Sequence, residues 1–307
     1  MSSITVTVSA RSGKTLADIT IDKDATVMEL KKVFAKLKED MYPSRQRFSL
    51  PPAAGEARGK ALEDSSKLSE YGLKTGSVLQ FKDLGAQIGY STVFFWEYFG
   101  PMCVYPLFFF FPHIFYPFHT RPVQHALVQK LATAYWCSHY AKRIYETYFV
   151  HRFGHATMPV ANLVRNCAYY WGFAAFVSYF VNHPLYTAPA PMQSYVALGA
   201  ALLCQAANYR CHTILANLRA PGDKGYSIPR GFLFNYITCA NYTAEICGWL
   251  LFTVAVQALP AAVFSVVGAA QMLQWAVQKH KRLLKAFDGK EGRAKYPRRW
   301  IVLPPFL

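Results

Sequence analysis

Acidic side chains are scarce in most of this 307-residue sequence. Residues 87–307 contain six Asp and Glu against nineteen Lys and Arg, whereas residues 1–86 contain eleven against fourteen. Charged residues make up 16% of the chain and hydrophobic ones 53%, and the charged share in soluble proteins is about a quarter. This composition excludes a disordered chain, a coiled coil and a nucleic-acid-binding tail. It predicts that the larger part of the chain is a membrane domain.

The sequence also lacks the usual signatures of disulfide, zinc and Rossmann sites. All seven cysteines fall after residue 86 without a CxxC pair, so we expect small buried hydrophobic side chains rather than a disulfide framework. No GxGxxG motif is present, so a dinucleotide would have to be held by helices and loops. His151 and His155 are four residues apart, but no glutamate completes an HExxH motif, and no metal site is predicted.

Residues 1–84 are predicted to form a small cytosolic α+β domain. No basic segment followed by a short apolar one opens the sequence, so we expect no cleaved signal peptide. Thr26 and Glu29 form a capping box that predicts the start of a helix. Alternating apolar residues predict strands near 4–8, 16–21, 47–50 and 78–81. This order of elements resembles the ubiquitin-like fold.

Residues 85–307 are predicted to form a multi-pass α-helical membrane domain. Apolar segments of about 20 residues, the length that crosses a bilayer, occur at 91–112, 125–148, 167–187, 193–215, 232–257 and 259–279. The count is six transmembrane helices, or seven if the long fifth segment is divided. Seventeen Lys and Arg fall on one side of these segments and two on the other. The positive-inside rule therefore predicts that both termini face the cytosol.

Polar residues interrupt these apolar segments in three places. The residues are Lys142 and Glu146, Asn208 and His212, and Asn241 and Glu245. The members of each pair are four residues apart and therefore share one face of a helix. They either pair with one another to hold helices together or line a polar cavity. Because three such pairs occur, we favour a shared cavity.

Several segments of the membrane part carry distinctive motifs. They are SHYAKRIYETYFVHRF at 138–153, NCAYYWGFAA at 166–175, NHPLY at 182–186, LRAPGDKGYSIPRG at 218–231 and CANYTAE at 239–245. Together they resemble the very-long-chain trans-2-enoyl-CoA reductases of the steroid 5α-reductase superfamily. An N-terminal ubiquitin-like domain is typical of these reductases and absent from the steroid enzymes. His212 replaces an aspartate that is usual in the steroid branch, which also favours the enoyl-CoA branch.

The resemblance implies an activity and a set of site residues. The activity is NADPH-dependent reduction of the 2,3 double bond of a trans-2-enoyl-CoA, the last step of the fatty-acid elongation cycle in the endoplasmic reticulum membrane. Tyr242 is then the catalytic proton donor, Lys142 lowers its pKa or holds an anionic intermediate, and Glu146 orients the substrate. The implied cofactor-binding residues are Asn208, His212, Arg219, Tyr226, Asn241, Glu245, His280, Lys285 and Tyr296.

The expected partners are long-chain and very-long-chain trans-2-enoyl-CoA, membrane lipid and other fatty-acid elongation enzymes, with no nucleic acid. Cationic side chains between Arg219 and Arg230 and in the basic C-terminal segment are expected to hold the cofactor phosphates.

Two alternative functions stay open at this point. One is a related membrane reductase acting on a steroid or polyprenoid enone, and the other is a non-catalytic scaffold of the elongation complex.

Overall fold

A computed structural model describes residues 2–56, 58–154, 156–218 and 227–304. Internal contacts divide the chain into two compact units. The N-terminal unit consists of Met1–Gly89 and Thr157–Asn162, and the helical unit of Tyr90–Ala156 and Leu163–Leu307. Each unit has its own buried hydrophobic cluster.

The N-terminal unit is built on a four-stranded sheet with strand order β2-β1-β4-β3. Its strands are β1 (Ser3–Ala10), β2 (Thr15–Asp22), β3 (Gln46–Ser49) and β4 (Val78–Asp83). Strand β1 runs antiparallel to β2 and parallel to β4, and β3 is antiparallel to β4. The four predicted strands are therefore confirmed.

Helix α1 (Val27–Leu37) packs on the N-terminal unit's core. The Thr26 hydroxyl accepts from the Glu29 N–H, and the Glu29 carboxylate accepts from the Thr26 N–H, which confirms the predicted capping box. Leu30 and Phe34 lie one turn apart and are buried in that core. A second sheet, β5 (Gln87–Gly89) antiparallel to β6 (Thr157–Pro159), joins two segments that no local sequence signal relates.

In the described part of the chain, the helical unit has six long helices, one near each predicted membrane segment. They are α2 (Tyr90–Phe110), α4 (Leu127–Phe149), α5 (Val160–Val181), α6 (Pro191–Asn217), α7 (Ala240–Val256) and α8 (Leu259–Ala286), with the short helix α3 (Pro112–Phe115) after α2. Helix α6 packs along α7, α2 packs on α4, and α7 packs on α8.

Aromatic side chains fill the core of the helical unit. Trp136 of α4 is fully buried and stacks on Tyr105 of α2, with their ring centroids 4.6 Å apart. The Trp136 ring also lies 5.1 Å from that of Trp249 on α7 and 5.4 Å from that of Phe264 on α8. One side chain therefore ties α4 to α7, the two helices that carry most of the polar residues considered below.

The outer surface of the helical unit is apolar. Large hydrophobic side chains stand exposed on several helices and loops, including Phe118, Phe149, Leu185, Leu203 and Leu259. Exposed apolar surface on this scale marks contact with lipid or another protein. By length and composition, two of the described helices, α2 and α8, could cross a membrane. The count of six spans therefore stays a prediction.

The fifth predicted segment, 232–257, is not one continuous helix. A 3₁₀ turn spans Phe232–Asn235, and α7 begins only at Ala240. The backbone N–H groups between them donate outside the helix, from Thr238 to the Trp300 carbonyl at 2.8 Å and from Cys239 to the Ile301 carbonyl at 3.0 Å. We call this pairing of residues 236–239 with 300–302 the C-terminal seam. It displaces the helix start because the same N–H groups cannot also serve a helix.

Candidate active site

A buried cluster of charged and polar side chains joins α4, α6 and α7. The three pairs predicted from the sequence all belong to it, namely Lys142 and Glu146 of α4, Asn208 and His212 of α6, and Asn241 and Glu245 of α7. The i,i+4 spacing directs the two members of each pair to the same face of their helix, as expected. We call this set the polar cluster.

Glu146 is the most enclosed member of the polar cluster, with a side chain that is 0% exposed. One carboxylate oxygen, Oε1, accepts from Lys142 Nζ at 3.0 Å, and Oε2 accepts from Arg143 Nη1 at 2.8 Å. His212 Nδ1 lies 3.0 Å from Oε1 and 3.3 Å from Arg143 Nη1. We assign the Nδ1 proton to the shorter contact, because Arg143 can only donate. Glu146 is therefore held by three donors.

Asn208 connects this carboxylate to α7. Its Oδ1 accepts from Lys142 Nζ at 2.6 Å, while its Nδ2 donates to the Asn241 carbonyl at 2.9 Å and to Glu245 Oε2 at 3.3 Å. This amide orientation pairs every donor with an acceptor, and the flipped one would not. Lys142 thus supplies a positive charge that is fixed from two sides.

The polar cluster contains residues that sequence reasoning missed. Arg143 Nη2 donates to the Tyr98 hydroxyl at 2.7 Å, and His139 Nε2 lies 3.8 Å from Glu245 Oε1. His139, Arg143 and Glu146 are spaced i, i+4 and i+7, so they form a stripe along α4 that could have been found. With Arg143 included, two cations face two carboxylates and the buried charges balance.

The polar cluster is closely packed rather than open. The adjoining cavity, bounded by residues such as His139, Asn208 and Glu245, has a volume of about 10 Å³, which is room for one water molecule. The side chains bond directly to one another, which differs from the shared cavity that we expected. Two side chains of the polar cluster are less completely bonded or enclosed. Asn241 Oδ1 is buried without a hydrogen-bond partner in the described chain, and Glu245 keeps 18% of its side chain exposed.

Tyr242 lies beside the polar cluster but is not bonded into it. Its side chain packs on a hydrophobic cluster formed by Cys239, Ile246, Ala276 and Val302. In the residues that the structure describes, its hydroxyl makes no hydrogen bond to Lys142 or to any other group. The Lys142 ammonium instead donates to Glu146 and Asn208. The Tyr242 hydroxyl therefore remains available to a ligand.

His280 and Tyr296, two further predicted cofactor residues, contact Thr238 of the C-terminal seam. Thr238 Oγ1 lies 2.9 Å from His280 Nδ1 and accepts from the Tyr296 hydroxyl at 3.1 Å. The Arg299 guanidinium is 5.4 Å from the centre of the Tyr296 ring. Lys285 is exposed near the end of α8. Two predicted residues, Arg219 and Tyr226, lie outside the described residues.

One group of side chains has the geometry to hold a metal ion. The ligand atoms of Glu146, His151 and His212 lie within 4.8 Å of one another. Burial lowers the pKa of His151 to about 3, so its imidazole is neutral at physiological pH. However, both Glu146 oxygens already accept from Lys142 and Arg143. A divalent ion would have to displace these cations and then lie among them, so we assign no metal role.

Comparison with known proteins identifies the class of each part of the chain. Residues 4–81 match the Ubiquitin family, and residues 156–307 match a family described as 3-oxo-5-alpha-steroid 4-dehydrogenase. The second match includes α5 to α8 and the C-terminal seam, but not α4, which carries Lys142 and Glu146. The chain therefore combines a ubiquitin-like domain with a helical part of the steroid dehydrogenase class.

Relatives that match nearly the full length define the family further. The "Very-long-chain enoyl-CoA reductase" of Dictyostelium discoideum is 44% identical, and the alignment covers 98% of both chains. The "Probable very-long-chain enoyl-CoA reductase art-1" of Caenorhabditis elegans is 43% identical over 94% of this chain and 92% of its own. A "Putative enoyl-CoA reductase" of Trypanosoma brucei is 35% identical over 89% and 93%. This chain belongs to the very-long-chain enoyl-CoA reductase family, as its motifs predicted.

Proposed function

We propose that this protein reduces the 2,3 double bond of long-chain and very-long-chain trans-2-enoyl-CoA with NADPH, at the last step of fatty-acid elongation. The observation that carries the proposal is the full-length similarity to enoyl-CoA reductases from several organisms. The polar cluster supports it, because Asn208 and Glu146 hold the Lys142 ammonium, and the partly exposed Glu245 carboxylate lies on the same helix as Tyr242.

The reaction needs a hydride at C3, a proton at C2 and stabilisation of negative charge on the thioester oxygen. A bound nicotinamide cofactor supplies the hydride. Tyr242, whose hydroxyl is not bonded within the described chain, donates the proton or a hydrogen bond to the developing enolate. Lys142 contributes positive potential, and Glu146 and Asn208 hold it in position. Glu146 is fully enclosed and already bonded to three donors, so it acts as a positioning residue.

The residues present fit a nicotinamide dinucleotide. Asn241 Oδ1 is a buried acceptor without a partner, which is costly unless a ligand donor such as a carboxamide N–H completes it. Glu245 has fewer close donors than Glu146 and is the carboxylate that reaches the surface of the polar cluster. We expect the basic segments around His280 and Tyr296 to bind the phosphate-bearing part of the cofactor.

The substrate class can be tested with purified protein. NADPH oxidation should be rapid with trans-2-hexadecenoyl-CoA and absent with a 3-keto-4-ene steroid. Preferential oxidation with the steroid would contradict the proposal and favour a steroid reductase. No oxidation with either substrate would favour a scaffold of the elongation complex.

The cofactor preference should follow from the cationic segment between Arg219 and Arg230. The 2′-phosphate of NADPH adds up to two negative charges, so NADPH should be used well ahead of NADH. Arg219→Ala should raise KM for NADPH and narrow the gap in kcat/KM between the two cofactors. Arg121→Ala, on the opposite predicted side of the membrane, is the matched control and should leave the ratio unchanged. Equal use of both cofactors by the unaltered protein would exclude recognition of the phosphate by this segment.

The protein is proposed to lie in the endoplasmic reticulum membrane with both termini and the mouth of the site in the cytosol, near other elongation enzymes. The seventeen-to-two distribution of Lys and Arg supports this topology. Protease added to sealed microsomes should remove tags fused to the N-terminus and to the C-terminus alike. Protection of one tag would mean an odd number of spans.

A further inference from the structure

A strongly basic recess opens on the sheet of the N-terminal unit. Its volume is about 250 Å³, and its lining includes Arg11, Arg47, Arg58, Lys82, Ser49 and Gln80. Within the described chain, no acidic side chain belongs to this lining. We call this feature the basic recess. It lies in a domain that is otherwise nearly balanced in charge, with eleven acidic and fourteen basic residues among residues 1–86.

The strand register places two of these cations against each other. Arg47 of β3 is paired directly with Lys82 of β4, and Ser49 is paired with Gln80 on the same face. Side chains directly opposite each other in an antiparallel sheet interact, and like charges there are destabilising. The domain therefore keeps a repulsive pair at a position where an opposite charge or a neutral side chain would stabilise the sheet.

The other two cations are carried by backbone segments fixed to the sheet. The loop that carries Arg58 returns to the end of β3, where the Leu50 N–H donates to the Lys60 carbonyl at 2.9 Å. A Cβ at Gly59 would lie 1.7 Å from the Leu50 carbonyl oxygen, so only glycine permits this close approach. The turn that carries Arg11 is closed by the bond from the Ala10 N–H to the Lys14 carbonyl at 2.8 Å.

Two other basic residues of the same unit are paired with carboxylates, in contrast to the four cations of the basic recess. Arg45 forms two bonds to Asp83, at 2.6 and 2.7 Å, and Lys31 lies 2.7 Å from Asp64. In the part of the chain that the structure describes, no ion pair joins a carboxylate to any of the four cations of the basic recess. Their positive potential is therefore uncompensated and directed into one small concavity.

We propose that the basic recess binds a compact group with two or more phosphates. Guanidinium groups match phosphate oxygens in a bidentate geometry, and three of the four cations are arginines. A recess of this volume suits a compact anion better than an extended acidic peptide. The headgroup of a phosphorylated inositol lipid has this chemistry, and so does the 3′-phosphate and diphosphate portion of coenzyme A.

Binding can be measured by calorimetry on the full chain in nanodiscs of neutral phosphatidylcholine. The two probes are inositol 1,4,5-trisphosphate and adenosine 3′,5′-bisphosphate. Arg47→Gln combined with Lys82→Gln should weaken binding of the preferred probe by about 10–100-fold, as expected for lost hydrogen bonds to charged groups. Lys32→Gln combined with Lys36→Gln removes the same charge from exposed positions on α1 and should change Kd less than about twofold.

Hydrogen exchange on the same samples locates the ligand. The preferred probe should protect β3 and β4, and its identity assigns the source, lipid for the inositol phosphate and coenzyme A for the nucleotide. Protection confined to the helical unit would overturn the proposal.

A third variant, Arg47→Glu, separates binding from folding. It places an opposite charge against Lys82, so exchange in β3 and β4 should become slower while binding of the probe is lost. Retained binding in this variant, an equal loss in the α1 control, or tighter binding of hexaglutamate than of either probe would overturn the proposal. So would the failure of both probes to bind the unaltered protein below about 1 mM.

Discussion

Tyr242→Phe should lower kcat by about 10²–10⁴, the scale of a positioned proton donor. The change removes only the hydroxyl, and the ring keeps its packing against Cys239 and Val302 at the start of α7. Cofactor binding and the thermal midpoint should therefore stay near those of the unaltered protein. Steady-state kinetics with trans-2-hexadecenoyl-CoA and NADPH measure the effect. Tyr195→Phe, an exposed tyrosine on α6, is the matched control and should keep full activity.

A double-mutant cycle with Lys142→Met tests how the amine and the phenol cooperate. Lys142 does not bond to Tyr242 in the described structure, so any cooperation must act through the field at the substrate or through the ligand itself. If both stabilise the same developing charge, the double variant should be little slower than the slower single variant, because groups acting as a unit are not additive. If the fold-loss of kcat in the double variant equals the product of the two single losses, Lys142 and Tyr242 act independently. Full turnover by Tyr242→Phe would remove this tyrosine from the mechanism.

Glu146→Gln should destabilise the helical unit by about 3–5 kcal/mol, the usual cost of removing one partner of a buried ion pair. The amide keeps the shape of the side chain but leaves Lys142 and Arg143 without the carboxylate that neutralises them. We expect low recovery from the membrane and a markedly lower thermal midpoint in detergent. Activity should be lost together with the fold.

Glu245→Gln is the matched control for this stability effect. Its carboxylate is more exposed, and its contacts to Asn208 and His139 are longer, at 3.3 and 3.8 Å. The variant should therefore unfold at a temperature closer to that of the unaltered protein while raising KM for the cofactor. Equal stability losses in the two variants would contradict the separate roles proposed for these carboxylates.

Local signals were sufficient to predict much of this molecule. The capping box at Thr26 and the alternating strands act within a few residues, so the N-terminal unit follows from sequence. The i,i+4 spacing of Lys142 and Glu146 likewise fixes a shared helix face before any tertiary structure is known. The motifs then placed the chain in its family because they are distinctive and spread along the helical unit from residue 138 to residue 245.

Features that depend on contacts between residues far apart in the sequence could not be predicted from local signals. The start of α7 at Ala240 depends on bonds to Trp300 and Ile301, which no window around residue 240 contains. The spacing along α4 could have indicated Arg143, but its bond to Tyr98 on α2 depends on how the two helices pack. The motifs identify both Lys142 and Tyr242, but they do not show whether the two side chains are bonded. That depends on how α4 packs against α7, and in the described structure they are not bonded.

The C-terminal seam has a consequence for the timing of biosynthesis. Thr243, one residue after Tyr242, donates its hydroxyl proton to the Val302 carbonyl at 2.6 Å, across 59 residues of chain. The first turn of α7 therefore cannot reach its final form until the ribosome has translated those later residues. A nascent chain that has been translated only to residue 299 can insert its helices. It lacks the bonds of residues 300–302 to the start of α7, the helix that carries Tyr242. Competence for reduction should thus appear only after residue 302 has been translated, so that chains ending before it are inactive.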